Sequence, residues 1–184
     1  SAAVFVTQLE QPIPAARRGL EIARAAGVTT ILNPAPAAAL DDAMLALCDF
    51  ITPNETEAET LTGLPVTTIA EAEQAADALM AWGVGAVIVT LGSKGCFISE
   101  RSGHAFIPAH RGMRVVDTTG AGDAFCGGFA AGLVSRKGDI VAAARLGTAV
   151  AALSITKPGA APAMPTRAEL DRFLHITRPL RSQG

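Results

Sequence analysis

The chain has 184 residues, 49% hydrophobic and 17% charged, with a formal net charge of −2. That length suits one domain, or a large part of one, with enough side chains to bury a core; the charge balance, with no basic block and few aromatics, excludes an electrostatic footprint for nucleic acid. The mean hydropathy of +0.35 comes largely from alanine, and no apolar run approaches the ~20 residues of a membrane helix, so a soluble protein without a membrane partner is expected.

In chain order, Ser1 leads almost directly into a strand pattern, and no signal peptide is read. Residues 4–9 predict a short buried strand. Pro12 and Pro14 punctuate it, and an amphipathic helix runs to about residue 26 with Gly27 as its stop. Residues 28–32 predict the next strand, ending at Asn33-Pro34, and 41–47 a helix. Phe50 and Ile51 make a brief strand that stops at Pro53; Asn54 then opens the helix E-T-E-A-E-T-L-T, which closes at Gly63. Thr68 can cap a helix that runs through Trp82. The continuous run A-V-I-V-T-L at 86–91 predicts a strand buried on both faces. Strands alternating with helices in this way predict βαβ units and a parallel sheet.

After Leu91 the rhythm changes. Residues 96–99 and 105–107 predict a local antiparallel pair turning at Ser102-Gly103, followed by an extended stretch to Val116. Three helices follow, over about 122–135, 139–156 and 167–175. Pro158, Pro162 and Pro165 shape the loop before the last of them. No repeat, low-complexity linker or domain boundary interrupts the pattern, so residues 1–184 are read as one α/β unit. Cys48, Cys96 and Cys126 are widely spaced with no C-x-x-C, which argues against a disulfide framework or zinc site and for a reducing, cytoplasmic setting. His104, His110 and His175 are scattered and are read as structural or exposed. Arg172, Arg178 and Arg181 make a short basic end that is read as solvated.

Chemistry concentrates in D-T-T-G-A-G-D-A-F at 117–125. Gly120 and Gly122 let the backbone turn sharply just where a helix begins, so successive N–H groups can approach an anion that the helix dipole favours. Asp123 would repel a phosphate, but beside an anion hole it is well placed to take a proton from an attacking hydroxyl. The bland alternative is a glycine turn with Asp123 as a helix-capping acid. At T-P-N-E-T-E, Asn54 and Glu57 form a capping-box pattern whether or not they also meet a ligand. T-L-G-S-K-G at 90–95 ends a strand in a loop with a hydroxyl and a cation, either a ligand loop at the carboxyl end of an α/β sheet or an ordinary turn with exposed Lys94. The carbonyls of 154–163 can bind a hard cation, or the segment is a Pro-rich surface loop. Glu10 closes Q-L-E at the first strand's end, where a plain surface charge is the alternative. There is no G-x-x-x-x-G-K-[ST], no early G-x-G-x-x-G, no G-x-S-x-G and no H-E-x-x-H.

The nine-residue string resembles the signature of the ribokinase-like carbohydrate kinases, the phosphofructokinase B family. The likeness covers essentially the whole chain but only the later part of a family member. It implies a ribokinase-like, three-layer Rossmann-like α/β fold with a mostly parallel sheet, whose N-terminal part and β-lid lie outside this chain. It implies ATP-dependent phosphorylation of a sugar hydroxyl, with magnesium and potassium, by a homodimer. Q-L-E, N-P-A-P at 33–36 and T-P-N-E-T-E-A-E pull toward D-ribose, giving D-ribose 5-phosphate; deoxyribose, fructose 6-phosphate, a nucleoside, or a non-catalytic nucleotide-binding role are the alternatives. The chain by itself is expected to be inactive.

Residue by residue, the resemblance makes Asp123 the general base and a substrate contact, with Gly120, Ala121 and Gly122 as the anion hole. It places Asn54, Thr90, Leu91, Gly92, Ser93, Lys94, Gly95 and Thr148 at the nucleotide, together with Gly122 and Asp123. Glu57 acts on magnesium through water, as that ion keeps much of its hydration. Glu10 approaches the sugar. The monovalent cation falls to Asp117 and Thr119 with backbone oxygens of Ser154, Lys157, Gly159 and Ala163.

Overall fold

A computed structural model of the chain describes residues 2–176. Ser1 and the basic positions Arg178 and Arg181 lie outside the described residues. Six strands form one sheet in sequential order: β1 (Val4–Thr7), β2 (Thr29–Leu32), β3 (Phe50–Ile51), β4 (Ala86–Thr90), β5 (Gly95–Glu100) and β6 (Gly103–Pro108). β1 to β4 pair in parallel and β4 to β6 antiparallel, with Val87 opposite Ser99 and Phe97 opposite Phe106. The parallel half and the late antiparallel pair both follow the expected change of rhythm.

Helices cover both faces. α1 (Ile13–Ala25), α2 (Asp42–Leu45), α3 (Glu55–Thr62) and α4 (Ile69–Ala81) lie on one side, and α5 (Ala121–Ser135) and α6 (Ile140–Ser154) on the other, with α7 (Arg167–Ile176) against α6. Period-two alternation divides the central strands between the layers. Leu32, Val87 and Val89 enter the core under α1–α4, while Ile31 and Ile88 enter the core under α5 and α6. In the second core Phe129 is fully buried and meets Phe50 edge-on at 5.3 Å; burying such a ring contributes about 1.5–3 kcal/mol. α5 and α6 pack closely because small residues face each other: a Cβ on Gly132 would stand 2.6 Å from the Cα of Ala143.

Local signals set most helix limits. Asn54 and Thr68 each cap a helix reciprocally with a glutamate three residues on, and Gly63 ends α3 at φ +72°. Some expectations were too long, the first strand among them, read over 4–9 and observed as Val4–Thr7 with only Thr7 buried. The helix read over 41–47 is the single turn Asp42–Leu45, capped by Asp41, with Met44 and Leu45 buried. The stretch before Val116 joins no strand: Val115 and Val116 are 59% and 50% exposed, and the Val116 N–H donates to the Ile155 carbonyl instead. Among the described residues, no helix is long and apolar enough to cross a membrane.

Candidate active site

The carboxyl ends of the parallel strands converge with the start of α5 on a cleft of about 180 Å³. Asn33 and Ala35 follow β2, Thr52 and Asn54 follow β3, Thr90 ends β4, and Thr118 with Gly120, Ala121, Gly122 and Asp123 lies at the start of α5; Glu57 completes the lining. This is where open α/β sheets hold ligands. A larger cleft of about 390 Å³ between α5, α6 and α7 contains none of the residues singled out by chemistry, so size does not identify the site here.

α5 starts without a side-chain cap. Gly120 takes φ +75°, and a Cβ there would stand 2.8 Å from the Cβ of Ala160. The glycine therefore meets two demands, a left-handed turn and close approach of the 154–163 loop. Around Gly122 a Cβ would meet nothing within 4 Å, so that position opens on the cleft. Asp123 sits in the first turn, exposed, and its Oδ1 accepts a hydrogen bond from Gln8 Nε2 at 2.8 Å.

The opposite wall is the start of α3. Asn54 N–H donates to Glu57 Oε2 at 2.8 Å, Asn54 Nδ2 to Glu57 Oε1 at 2.9 Å, and Glu57 N–H to Asn54 Oδ1 at 2.9 Å. Burial pushes the Glu57 carboxyl above the usual glutamate range, against the opposing effect of the Asn54 hydrogen bonds. The Thr90 N–H donates to the Pro53 carbonyl at 2.8 Å, which fastens β4 to this wall. Thr52 Oγ1 and Cys126 Sγ, 3.1 Å apart, tie the wall to α5. Burial drives the Cys126 thiol up to about 11, with the Thr52 contact acting the other way.

Beneath the glycine turn the 154–163 loop is drawn in by Asp117. Its Oδ1 accepts from the Thr119 N–H at 2.9 Å and its Oδ2 from the Gly159 N–H at 2.8 Å. Those backbone hydrogen bonds, Thr119 first, hold the Asp117 carboxyl below the usual aspartate range. Ser154 is buried with its hydroxyl on the Ala151 carbonyl, Lys157 pairs with Glu169 at 2.7 Å, and Ala163 is buried.

Several expected nucleotide contacts stand apart from the cleft lining. Leu91 is 2% exposed in the core, and Gly92–Lys94 form a 3-10 turn. Lys94 Nζ donates to the Thr67 carbonyl at 2.7 Å. Gly95 takes φ +122° with the Ile107 carbonyl too close for any Cβ. Thr148 is buried, its hydroxyl on the Arg145 carbonyl. Glu10 is exposed beyond β1. Sequence reasoning missed Gln8, Asn33, Thr52, Thr118 and Cys126 at or beside the cleft. A strand-end rule would have found the polar residues that follow β1, β2 and β3. It also missed a cluster elsewhere: His104 Nδ1 lies 3.0 Å from Glu73 and its Nε2 3.2 Å from Asp77, across α4 and β6.

Comparison with known proteins follows the same lines. The sequence pattern of pfkB family carbohydrate kinases matches residues 2–167. A ribokinase from Haemophilus influenzae is 46% identical over 170 residues, covering 92% of this chain and 55% of that protein. A deoxyribokinase from Salmonella typhi is 38% identical over 94% of this chain and 56% of its own length. The structure of Arabidopsis thaliana ribokinase complexed with ribose and ATP superposes with a TM-score of 0.88 at 31% identity, over 94% of this chain and 56% of that one. The chain thus spans about half the length of the relatives it matches. With the family pattern over nearly its whole length and a doubly covered, mostly parallel sheet of the same shape, the chain belongs to the pfkB family of carbohydrate kinases.

Proposed function

We propose that the complete protein transfers the γ-phosphoryl group of ATP to a sugar hydroxyl, with D-ribose as acceptor and D-ribose 5-phosphate as product. The observation that carries this reading is the meeting of Asp123 with an uncapped, glycine-led helix start in one cleft. Asp123 is the base: the acceptor hydroxyl gives its proton to that carboxylate and its oxygen to the γ-phosphorus, and the bridging oxygen departs with ADP. No side chain caps the first turn of α5; the Ala121 N–H donates to the Thr118 carbonyl, and the N–H groups around Gly122 stabilise the charge on the transferring group. A general base of this kind is worth roughly a hundred- to ten-thousandfold in rate. The 38% identical deoxyribokinase keeps deoxyribose as the second acceptor to test.

The residues at hand fit the two cations. Glu57 and Asn54 offer only oxygen and amide groups, already tied to each other, so a magnesium ion here would be reached through its own water. Magnesium bound there would offset charge on the ATP phosphates. Asp117 is tied to Thr119 and Gly159 through their N–H groups; Asp117, Thr119 and the backbone oxygens of Ser154, Lys157, Gly159 and Ala163 would make an oxygen-only set with one carboxylate, suited to a large monovalent cation such as potassium. Asn54 and Thr90 line the same cleft, where the ATP phosphates would meet them. Three buried, free thiols fit a reducing compartment such as the cytoplasm.

The test is coupled ADP release by the full-length protein with ribose, deoxyribose, fructose 6-phosphate and adenosine as acceptors. Magnesium is held in excess, with either sodium or potassium as the monovalent ion. Ribose is expected to give the highest kcat/KM, and potassium to raise the rate over sodium. The 184-residue chain alone is expected to release no ribose-dependent ADP, since among the described residues only Glu10 and Asp123 are candidates to meet the sugar. ADP release with none of the four acceptors would remove the kinase reading, and equal rates in the two salts would remove the monovalent site.

A further inference from the structure

We propose that Gln8 is a positioning residue for Asp123: its side-chain amide holds one carboxylate oxygen so that the other faces the acceptor hydroxyl. The inference rests on the kinase reading above, in which Asp123 is the base. Gln8 Nε2 donates to Asp123 Oδ1 at 2.8 Å across 115 residues of sequence. Among the described residues it is the only side chain that hydrogen-bonds Asp123.

The donor is itself held. Asn33 N–H donates to the Thr7 carbonyl at 2.9 Å and Leu9 N–H to the Ala35 carbonyl at 2.8 Å, so the backbone on both sides of Gln8 is pinned to the exit of β2. Gln11 Nε2 donates to Thr7 Oγ1 at 2.5 Å and to the Gln8 carbonyl at 2.7 Å, closing the turn from within. Leu9, 7% exposed, anchors the same turn in the core. Asp123 is the opposite case, an exposed carboxylate on the first turn of a helix with an open cleft beside it. Left alone, it would sample several rotamers, few of which bring an oxygen within hydrogen-bond reach of a hydroxyl. A carboxamide suits the task because it does not titrate: its N–H donates to the carboxylate at every working pH and cannot compete as a base. With Oδ1 held by Gln8, the remaining oxygen, Oδ2, receives the proton.

The test uses the full-length protein with four variants: Gln8→Ala, Gln8→Glu, Asp123→Asn and the double variant Gln8→Ala/Asp123→Asn. For each, kcat and the KM for ATP are read separately. Gln8→Ala is expected to lower kcat about tenfold, a loss typical of a misplaced reacting group, with the KM for ATP unchanged. Gln8→Glu keeps the shape but sets a second carboxylate against Asp123, and is expected to lose more than Gln8→Ala. In the Asp123→Asn background, Gln8→Ala is expected to cost nothing further. Parental kcat in Gln8→Glu, or full additivity in the double variant, would overturn the proposal. If Gln8→Ala does not fold, the isosteric Gln8→Glu still decides. Collapse of Asp123→Asn with parental Gln8 variants sinks the positioning role alone, whereas parental turnover in Asp123→Asn removes both the base and its holder.

Discussion

Two helices begin at the rim of the same cleft, and they begin in opposite ways. α3 is closed by its own side chains, with Asn54 and Glu57 exchanging hydrogen bonds in a capping box. α5 is opened by a left-handed glycine and has no side-chain cap. Every helix start leaves N–H groups without an internal partner; in α3 the Asn54 side chain takes that of Glu57, whereas in α5 the Ala121 N–H donates to the Thr118 carbonyl and no side chain caps the turn. The acids differ in the same sense. Glu57 is 7% exposed and locked to Asn54, whereas Asp123 is exposed and held at one oxygen by Gln8. A closed end makes a rigid wall, and an open end is where the proposed reaction would place its anion.

The largest expected effect lies at the open end. Asp123→Asn in the full-length protein should lower kcat by roughly a hundredfold or more with little change in ATP affinity, as read by steady-state kinetics and nucleotide titration. Parental turnover would reduce α5 to a helix with an acidic first turn.

The two glycines should then separate. A Cβ at Gly122 meets nothing within 4 Å, so Gly122→Ala should leave the melting temperature near the parent value, while Gly122→Val, adding bulk to the cleft lining, should cut kcat/KM for ATP about tenfold or more. Gly120→Ala forces a side chain into the left-handed region and onto Ala160, so it should cost about 1–3 kcal/mol of stability by denaturant melts. If Gly122→Val were as active as the parent, the proposed anion site at the open end would fall.

At the closed end, Asn54→Ala should cost about 1 kcal/mol through loss of the cap, together with a smaller loss of activity because Glu57 loses its partner. A stability loss with parental kinetics would make α3 a wall and nothing more.

The smallest effect concerns acid. Hydrogen bonds from Thr67 hold Glu71, in the capping box of α4, down to about 2, and the Lys157 partner does the same for Glu169. A carboxyl depressed on folding contributes stability that is complete above its ordinary value near 4.5 and is lost as pH falls toward about 2. Glu71→Gln should therefore make the fall in melting temperature across that window shallower. Glu57 is shifted the other way by burial, so Glu57→Gln should not flatten that limb.

Signals that act within a few residues were legible in the sequence alone. The capping boxes at Asn54 and Thr68, the stops at Gly27 and Gly63, the both-faces-buried run of β4 and the glycine turn before Asp123 all depend on neighbours in the chain. So does the change from parallel to antiparallel pairing after Leu91, since a short turn permits only a hairpin. The family string carried its meaning for the same reason: a turn and a helix start are local objects. Tertiary structure alone decided the contacts between strand ends, because the order of strands in the sheet, rather than spacing in the sequence, brings Gln8 to Asp123 and Thr52 to Cys126. It also decided where long side chains with a free choice of acceptor settle, as when Lys94 takes the carbonyl of Thr67. Local chemistry wrote the two walls of the cleft, and the packing of the sheet set them face to face.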